Sequence, residues 1–278
     1  LRALVGCALL SLALASAQAQ TITIPASGTQ GPGTPYPSTT SISGLSGLVT
    51  NVTVSITGYT HTFPDDVDIM LVGPTGAAIV LMSDAGGDPD AVNVNLTFSD
   101  AAAIEMQNNG PTVSGTFRPT NYAGNDGTDT FPAPAPATPG VTALSTFNGT
   151  VPNGTWSLYV RDDHNADPGS ISGWSLNITT APGVPVLLTP ADAANGVATD
   201  VTFTWAASSG ATSYDVQLAT NAAFTTNVAS VGGLTTTSFS PGLAGGTTYY
   251  WRVRATNGGG SSAYSTARSF STVGAPGE

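Results

Sequence analysis

The chain never runs far without a break. Between residues 21 and 180, short stretches of alternating apolar and polar residues are separated by Gly, Pro, Asp and Asn. Residues 48–56 (LVTNVTVSI) alternate most clearly, and 67–72, 78–82, 92–98, 155–160 and 171–178 follow the same pattern. A period of two places every second side chain on one face, so each stretch reads as a strand with one buried side. Residues 100–106 (DAAAIEM) are the one segment with a helical cast. Many short strands with polar punctuation predict an antiparallel sandwich or jelly roll. Residues 131–140 (FPAPAPATPG) are expected as a polyproline-II surface loop inside it, because proline cannot donate to a central ladder.

Charge is scarce and lopsided. Only 8% of the 278 residues are charged, against 40% hydrophobic, so packed cores are affordable and a solvated disordered chain is not expected. Lysine is absent, and the net charge is −11. That excludes a basic nucleic-acid surface and disfavours docking on anionic lipid, while favouring cations as partners. Thirteen of the seventeen acids lie between residues 65 and 167.

The ends and the middle suggest an organisation. Residues 1–20 (LRALVGCALLSLALASAQAQ) begin with Arg2, continue as an apolar run and finish on Ala17-Gln18-Ala19. This reads as a secretory signal peptide, too short to span a bilayer, and implies a secreted or cell-surface location. Leu4-Val5-Gly6-Cys7 also has the look of a lipoprotein acylation box, but the apolar run continues past Cys7, the only cysteine. No later stretch is long enough for a membrane helix. Ala181-Pro182-Gly183 marks a linker where the acidic charge falls away. Beyond it, residues 201–205, 214–218 and 249–255 alternate again; the last places Tyr249, Trp251, Val253 and Ala255 on one face and Arg252 and Arg254 on the other. A second all-β unit is therefore expected at 184–273, with 274–278 as tail or linker. The final Val-Gly-Ala-Pro-Gly-Glu would suit a connection to further sequence.

Two resemblances follow from quoted residues. In the second unit, Pro185 and Pro190, Trp205, Tyr214, and Leu243 six residues before Tyr249 lead into Trp251-Arg-Val-Arg-Ala. This resembles a fibronectin type III domain, and the Leu243/Tyr249 spacing implies that family's tyrosine corner. The implied fold is an immunoglobulin-like sandwich serving as spacer or adhesion module. In the first unit, His61-Thr-Phe63-Pro-Asp65-Asp66-Val67-Asp68-Ile69 runs into Gly73-Pro74-Thr-Gly76. Leu81-Met-Ser-Asp84-Ala-Gly86-Gly87 comes next, and Asn153-Gly154-Thr155-Trp156 precedes Asp167-Pro-Gly169-Ser-Ile171-Ser-Gly-Trp174. Residues 21–180 thereby resemble the P (Homo B) domain that accompanies proprotein convertases and secreted subtilisin-like proteases. Asp65 stands where that family often has Gly. The resemblance implies a jelly roll that stabilises a serine endopeptidase domain and can contribute to substrate engagement.

The chain's own chemistry points elsewhere than catalysis. Its two histidines, His61 and His164, lie in the first unit, and neither a Gly-x-Ser-x-Gly elbow nor a subtilisin-type nucleophile segment occurs. Asp163, Asn165 and Asp167 alternate in a tight loop, as oxygen ligands converging on Ca2+ would. Asp84, Asp88 and Asp90 form a second run, and Asp65, Asp66 and Asp68 a third. Pro168 and Trp174 rule out an EF-hand. Asp and Asn also serve simply as turn formers on exposed loops, and that reading stays open. Trp156 and Trp174 are expected in the core, while Tyr36, Phe117, Tyr122 and Tyr264 are candidates for exposed stacking surfaces. The expected function is a secreted non-catalytic module protein, calcium-assisted. Its rivals are a part or accessory of a secreted serine endopeptidase and a polysaccharide or surface adhesion module. Implied partners are a serine protease domain, another extracellular protein or a polysaccharide, and not nucleic acid.

Overall fold

The computed structural model describes residues 14–15, 21–25, 29–122 and 129–274. The signal-peptide reading thus lies outside the described residues except for Leu14–Ala15, which pairs antiparallel with Asn177 and Leu176. The chain divides into two units, residues 1–45 with 49–179, and residues 46–48 with 180–278. Both are built of strands. No helix of the described residues is long and apolar enough to cross a membrane.

Among the described residues the longer strands of the first unit are β1 (Ile22–Ile24), β2 (Ser38–Ile42), β3 (Leu48–His61), β4 (Val67–Val72), β5 (Ala78–Ser83), β6 (Ala91–Phe98), β7 (Gly115–Phe117), β8 (Gly154–Asp162), β9 (Gly169–Ile171) and β10 (Gly173–Ala181), beside two-residue strands at Leu14–Ala15, Gly31–Pro32 and Thr120–Asn121. In one sheet β6 lines one side of β3, and β10 and β9 the other; β7 extends it beside β6, and β1 beside β9. In the second sheet the order runs β5, β4, β8, β2. Alternation places Val54, Ile56, Leu96 and Phe98 of the first sheet against Ile69, Leu71, Ile79, Trp156, Leu158 and Val160 of the second, all at most 1% exposed. Trp174 joins that core, its Nε1–H donating to Ser38 Oγ at 2.9 Å.

Strand β3 is long enough to need a correction of phase. Val52, Val54 and Ile56 point inward, and so do Tyr59 and His61, which is possible only if one residue is skipped between the two sets. A register shift between Ile56 and Tyr59 supplies it. Gly58 sits there at φ +62°, and a Cβ on it would lie 2.3 Å from Ser172 Oγ, so glycine is required both for conformation and for space. The bulge is what turns the two polar residues Tyr59 and His61 into the interior at one end of the sandwich.

The second sheet is covered on its outer side as well. Met70 and Tyr159 point away from the core and meet Phe131 of the proline-rich segment. Tyr36 packs edge-on against Tyr159 at 5.0 Å and donates its hydroxyl to the Pro132 carbonyl. Residues 131–140 carry no strand, as expected, but Phe131 is only 7% exposed, so the segment works as a strap over the sheet. The helix expected at 100–106 is not formed. Asp100 instead accepts the N–H groups of Leu144 and Ser145 at 2.8 and 2.7 Å, opening the 3-10 turn Leu144–Phe147, and Glu105 bridges to Arg118. A seven-residue segment has too little nucleating power to resist such partners.

The second unit contains β11 (Leu187–Thr189), β12 (Ala194–Val197), β13 (Phe203–Trp205), β14 (Ser213–Ala219), β15 (Asn227–Leu234), β16 (Ser238–Phe239), β17 (Thr248–Asn257) and β18 (Arg268–Thr272). One sheet is β11-β13-β16; the other is β12-β18-β17-β14-β15. Phe203, Trp205, Trp251, Val253 and Phe270 fill the space between them. The corner expected at Tyr249 is present: its hydroxyl accepts the Ala244 N–H at 3.0 Å. On the opposite face of β17, the Arg252 guanidinium lies 4.0 Å from the Phe224 ring and 4.4 Å from that of Tyr264. Arg254 pairs with Asp215 at 2.8 Å.

Two substitutions test these assignments. Tyr249→Phe leaves the Ala244 N–H without its acceptor and should cost about 1–3 kcal/mol in urea unfolding. Gly58→Ala must force the bulge open and should cost at least about 1–2 kcal/mol, whereas alanine at Gly149 (φ +77°, nothing within 4 Å) meets only the backbone part of that cost. Equal effects at the two glycines would refute the steric role given to Gly58.

Candidate functional site

The same end of the first unit collects acids from four segments. Strand parity determines where each one goes. Along β8, Trp156, Leu158 and Val160 face the core, and Asp162 continues that face at full burial. Along β4, Asp68 shares the opposite face with Met70 and is 1% exposed. Its cross-strand neighbour is Arg161, whose Nη1 lies 3.7 Å from Asp68 Oδ2 and donates to the Thr130 carbonyl at 2.7 Å. The short 3-10 turn Pro64–Asp66 brings Asp65 and Asp66 to the start of β4. The loop after β8 returns Asp163, His164 and Asp167 to the same place, with the Asp163 N–H donating to the Asp66 carbonyl at 3.0 Å and Ala166 at φ +103°.

Two groups of possible ligands result. In the strap group, Asp68, Asp129 and Asp163 each bring a carboxylate oxygen within 4.8 Å of the others. In the loop group, a carboxylate oxygen each of Asp66 and Asp167 and a ring nitrogen of His164 lie equally close. Phe63, Asp65, Asp66, Asp84, Asp163, His164 and Asp167 line an open cleft of about 330 Å3 there.

The strap group is crowded in a way that bare carboxylates do not tolerate. Ser83 Oγ lies 2.8 Å from Asp68 Oδ1, 2.7 Å from Asp129 Oδ2 and 3.4 Å from Asp84 Oδ2. A hydroxyl has one proton to give. Two such short contacts to carboxylates need either a second proton or a cation among them. Asp129, 7% exposed, also leaves its Oδ1 without a hydrogen bond. Burial, and then the charge of Asp129, push the Asp68 carboxyl up to about 8. Burial lifts Asp66 to about 6, with His164 opposing and Asp162 reinforcing the shift. Tyr59, fully buried with its hydroxyl unpartnered, is raised well above the ordinary tyrosine range by burial and then by Asp162.

Of the residues expected to hold calcium, Asp65, Asp66, Asp68, Asp84, Asp163 and Asp167 come together here, drawn from three separate sequence runs into one end of the fold. Asp88 and Asp90 are exposed and belong to neither group; Asn165 is exposed and offers its carbonyl to His164 Nδ1 at 3.0 Å. Asp129, Asp162 and Ser83 were not anticipated. Asp162 was readable as the continuation of the Trp156, Leu158, Val160 face. Asp129, on a strap with no periodicity, carried no local signal. The expected stacking surface does not form a row. Phe117 is 7% exposed, Tyr36 packs on Tyr159, Tyr122 donates to the Met106 carbonyl at 2.7 Å, and Tyr264 sits on the two arginines.

No family model matches the chain, and no curated protein matches it. Among solved structures, it is similar to a Fn3-like protein from Clostridium thermocellum at 28% identity, over 34% of this chain and 95% of that one, with a TM-score of 0.27. It is similar to the serine protease of Aeromonas sobria at 16% identity and a TM-score of 0.29, over 59% of this chain. The chain spans about a quarter of that protease, 27% of its length. The adhesin domain of Epf from Streptococcus pyogenes matches at 11% identity over 87% of this chain and 72% of that one, with a TM-score of 0.25. At these TM-scores the assignment of two β-sandwiches rests on the strands and cores described above.

Proposed function

We propose that this chain is an exported, non-catalytic protein of two modules. The first is a P (Homo B)-like jelly roll at 21–180 whose acidic end holds calcium. The second is a fibronectin type III sandwich at 184–273 acting as spacer or adhesion element. The observation that carries the reading is the strap group, where one serine hydroxyl meets two buried carboxylates. Its donors are all oxygens, which suits Ca2+ with its six to eight oxygen ligands. Burial raises the Asp68 carboxyl, so a proton on Asp68 is the alternative to the ion there.

Neither histidine is disposed as a catalytic base. His61 is fully buried, with Nδ1 2.8 Å from the Phe63 carbonyl and Nε2 facing Asp162. His164 contacts Asn165 and Asp66. A structural partner fits better, and the partner favoured here is a subtilisin-like serine endopeptidase domain or another extracellular protein that the jelly roll stabilises. The polysaccharide reading loses support because the four aromatics proposed for it are engaged within their own units.

Calcium at about a hundredfold above its Kd should stabilise the full chain by about 2.7 kcal/mol, a rise in Tm of about 5–10 °C. Asp129→Asn should remove most of that rise. A melting curve that chelator leaves unmoved would sink the calcium reading.

Proton linkage gives a second check. Asp66 and Asp68 have folded-state values near 6 and 8, above the unfolded value of 3.8, so the native state holds more protons between those limits. In chelator, stability should fall as pH rises from about 4 to 8. In calcium the Asp68 part of that decline should flatten, because the ion replaces its proton, while the Asp66 part remains. A fluorophosphonate probe should leave the protein unlabelled; labelling together with peptide cleavage would refute the non-catalytic assignment.

A further inference from the structure

We propose that a groove on the first unit, between residues 104–107 and 111–117, takes a polypeptide segment that carries one bulky apolar side chain close to a lysine or arginine. The inference rests on the reading of this unit as a non-catalytic partner of another polypeptide, and it names the surface that receives that partner. Ile104, Met106, Pro111, Val113 and Phe117 line a cavity of about 410 Å3, a volume ordinary for ligand pockets. Met106 and Phe117 are buried, whereas Ile104 and Val113 are 57% and 54% exposed. Large apolar side chains left open around a concavity mark a place where another molecule seats.

The wall at 104–107 is rigid before anything binds. The carbonyls of Ile104, Met106 and Gln107 accept the Arg118 N–H at 2.8 Å, the Tyr122 hydroxyl at 2.7 Å and the Gly86 N–H at 2.9 Å. A preformed wall spares the ligand the entropy of ordering it.

The opposite wall points to a polypeptide. Strand β7 has a ladder with β6 alone. Pro111, Thr112 and Val113, which lead into β7, make no hydrogen bond to any other described residue, and the Thr112 hydroxyl is among the unpartnered groups. An unpaired backbone run that continues an edge strand, beside an apolar pocket, is what an added peptide strand uses: its main chain pairs with the run and one side chain fills the pocket. A small apolar molecule would leave those backbone groups unpaired.

Charge at the rim selects the neighbours of that side chain. Both hydrogen bonds from the Arg118 side chain to Glu105 end on Oε1, which leaves Oε2 open to a second cation. Asp88 is exposed just beyond Gly86, which lines the cavity, and a Cβ on the intervening Gly87 would lie 3.1 Å from the Gly110 N. Neither acid belongs to the strap or loop group. The chain carries −11 and has no lysine of its own, so a basic segment is attracted and an acidic one repelled.

The test is titration of the full chain with the probe Ac-Lys-Thr-Phe-Thr-Lys-NH2, followed by backbone amide chemical shifts at low salt. The probe should bind with a Kd of about 1 mM or tighter and shift Met106, Gln107, Val113 and Phe117. Ac-Lys-Thr-Ala-Thr-Lys-NH2, which lacks the anchor, Ac-Glu-Thr-Phe-Thr-Glu-NH2, with its charge reversed, and phenethylamine, which lacks a backbone, should each bind at least about tenfold more weakly. Ile104→Ser should weaken the probe about tenfold and Asp88→Asn about threefold, with the Tm of the free protein unchanged in both. No shift at these residues, or equal binding by the probe and its three controls, would overturn the groove. Shifts at the same residues that grow with protein concentration alone would assign it to a second copy and overturn the heterologous partner. Cleavage of the probe, seen by mass spectrometry, would overturn the non-catalytic reading instead, whereas an intact and unbound probe overturns the groove alone.

Discussion

Carboxylates buried side by side cost more than the turns and strands around them return, unless positive charge sits among them. That constraint governs one end of the first sandwich. Asp68, Asp129 and Asp162 are each at most 7% exposed, and among them stands one guanidinium, Arg161, directly opposite Asp68 on the neighbouring strand. The hydroxyl of Ser83 is shared between two carboxylates that a single proton cannot satisfy. Whatever fills this end of the molecule, proton or ion, is part of the folded state.

The sandwich delivers the acids there by simple means. A strand has two faces, and at this end of the second sheet each face carries a carboxylate: Asp162 inward, Asp68 outward. The bulge at Gly58 turns Tyr59 and His61 toward the inward one. The strap of residues 129–135, pinned by Tyr36 and Tyr159, sets Asp129 beside the outward one. Regular structure therefore places Asp68 and the turn that carries Asp66, packing of the strap places Asp129, and Asp163, His164 and Asp167 come from the loop after β8.

Much of this was legible in the sequence, for a physical reason. Period-two alternation is local, and it located β3, β6, β8, β10, β14 and β17 to within about five residues, while β4 and β5 stood out as short apolar runs that are buried on both faces. The strands it missed, such as β1, β7 and β16, are two or three residues long and are held by their neighbours. The convergence of Asp65, Asp66, Asp68, Asp84, Asp163 and Asp167 could not be read, since three runs up to 102 residues apart meet only through sheet pairing. Asp129 was invisible for the same reason. The segment 100–106 misled because its alanines favour helix, while Asp100 finds better partners at Leu144 and Ser145.

The acids of this chain fall into two populations, and the difference answers whether they are only turn formers. Asp100 and Asp192 accept backbone N–H groups at turns, and for Asp192 those bonds, Ser269 foremost, hold the carboxyl below its usual range. Asp88 and Asp90 are simply exposed. These four behave as short polar side chains in loops do. Asp66 and Asp68 behave oppositely: burial raises both, and neighbouring carboxylates add to the rise. A turn-forming aspartate gains from ionising where it stands, whereas these are penalised for it. A fold retains such a penalty where a proton or a cation relieves it, and the donors gathered at this sheet end are carboxylate oxygens with one imidazole at the rim.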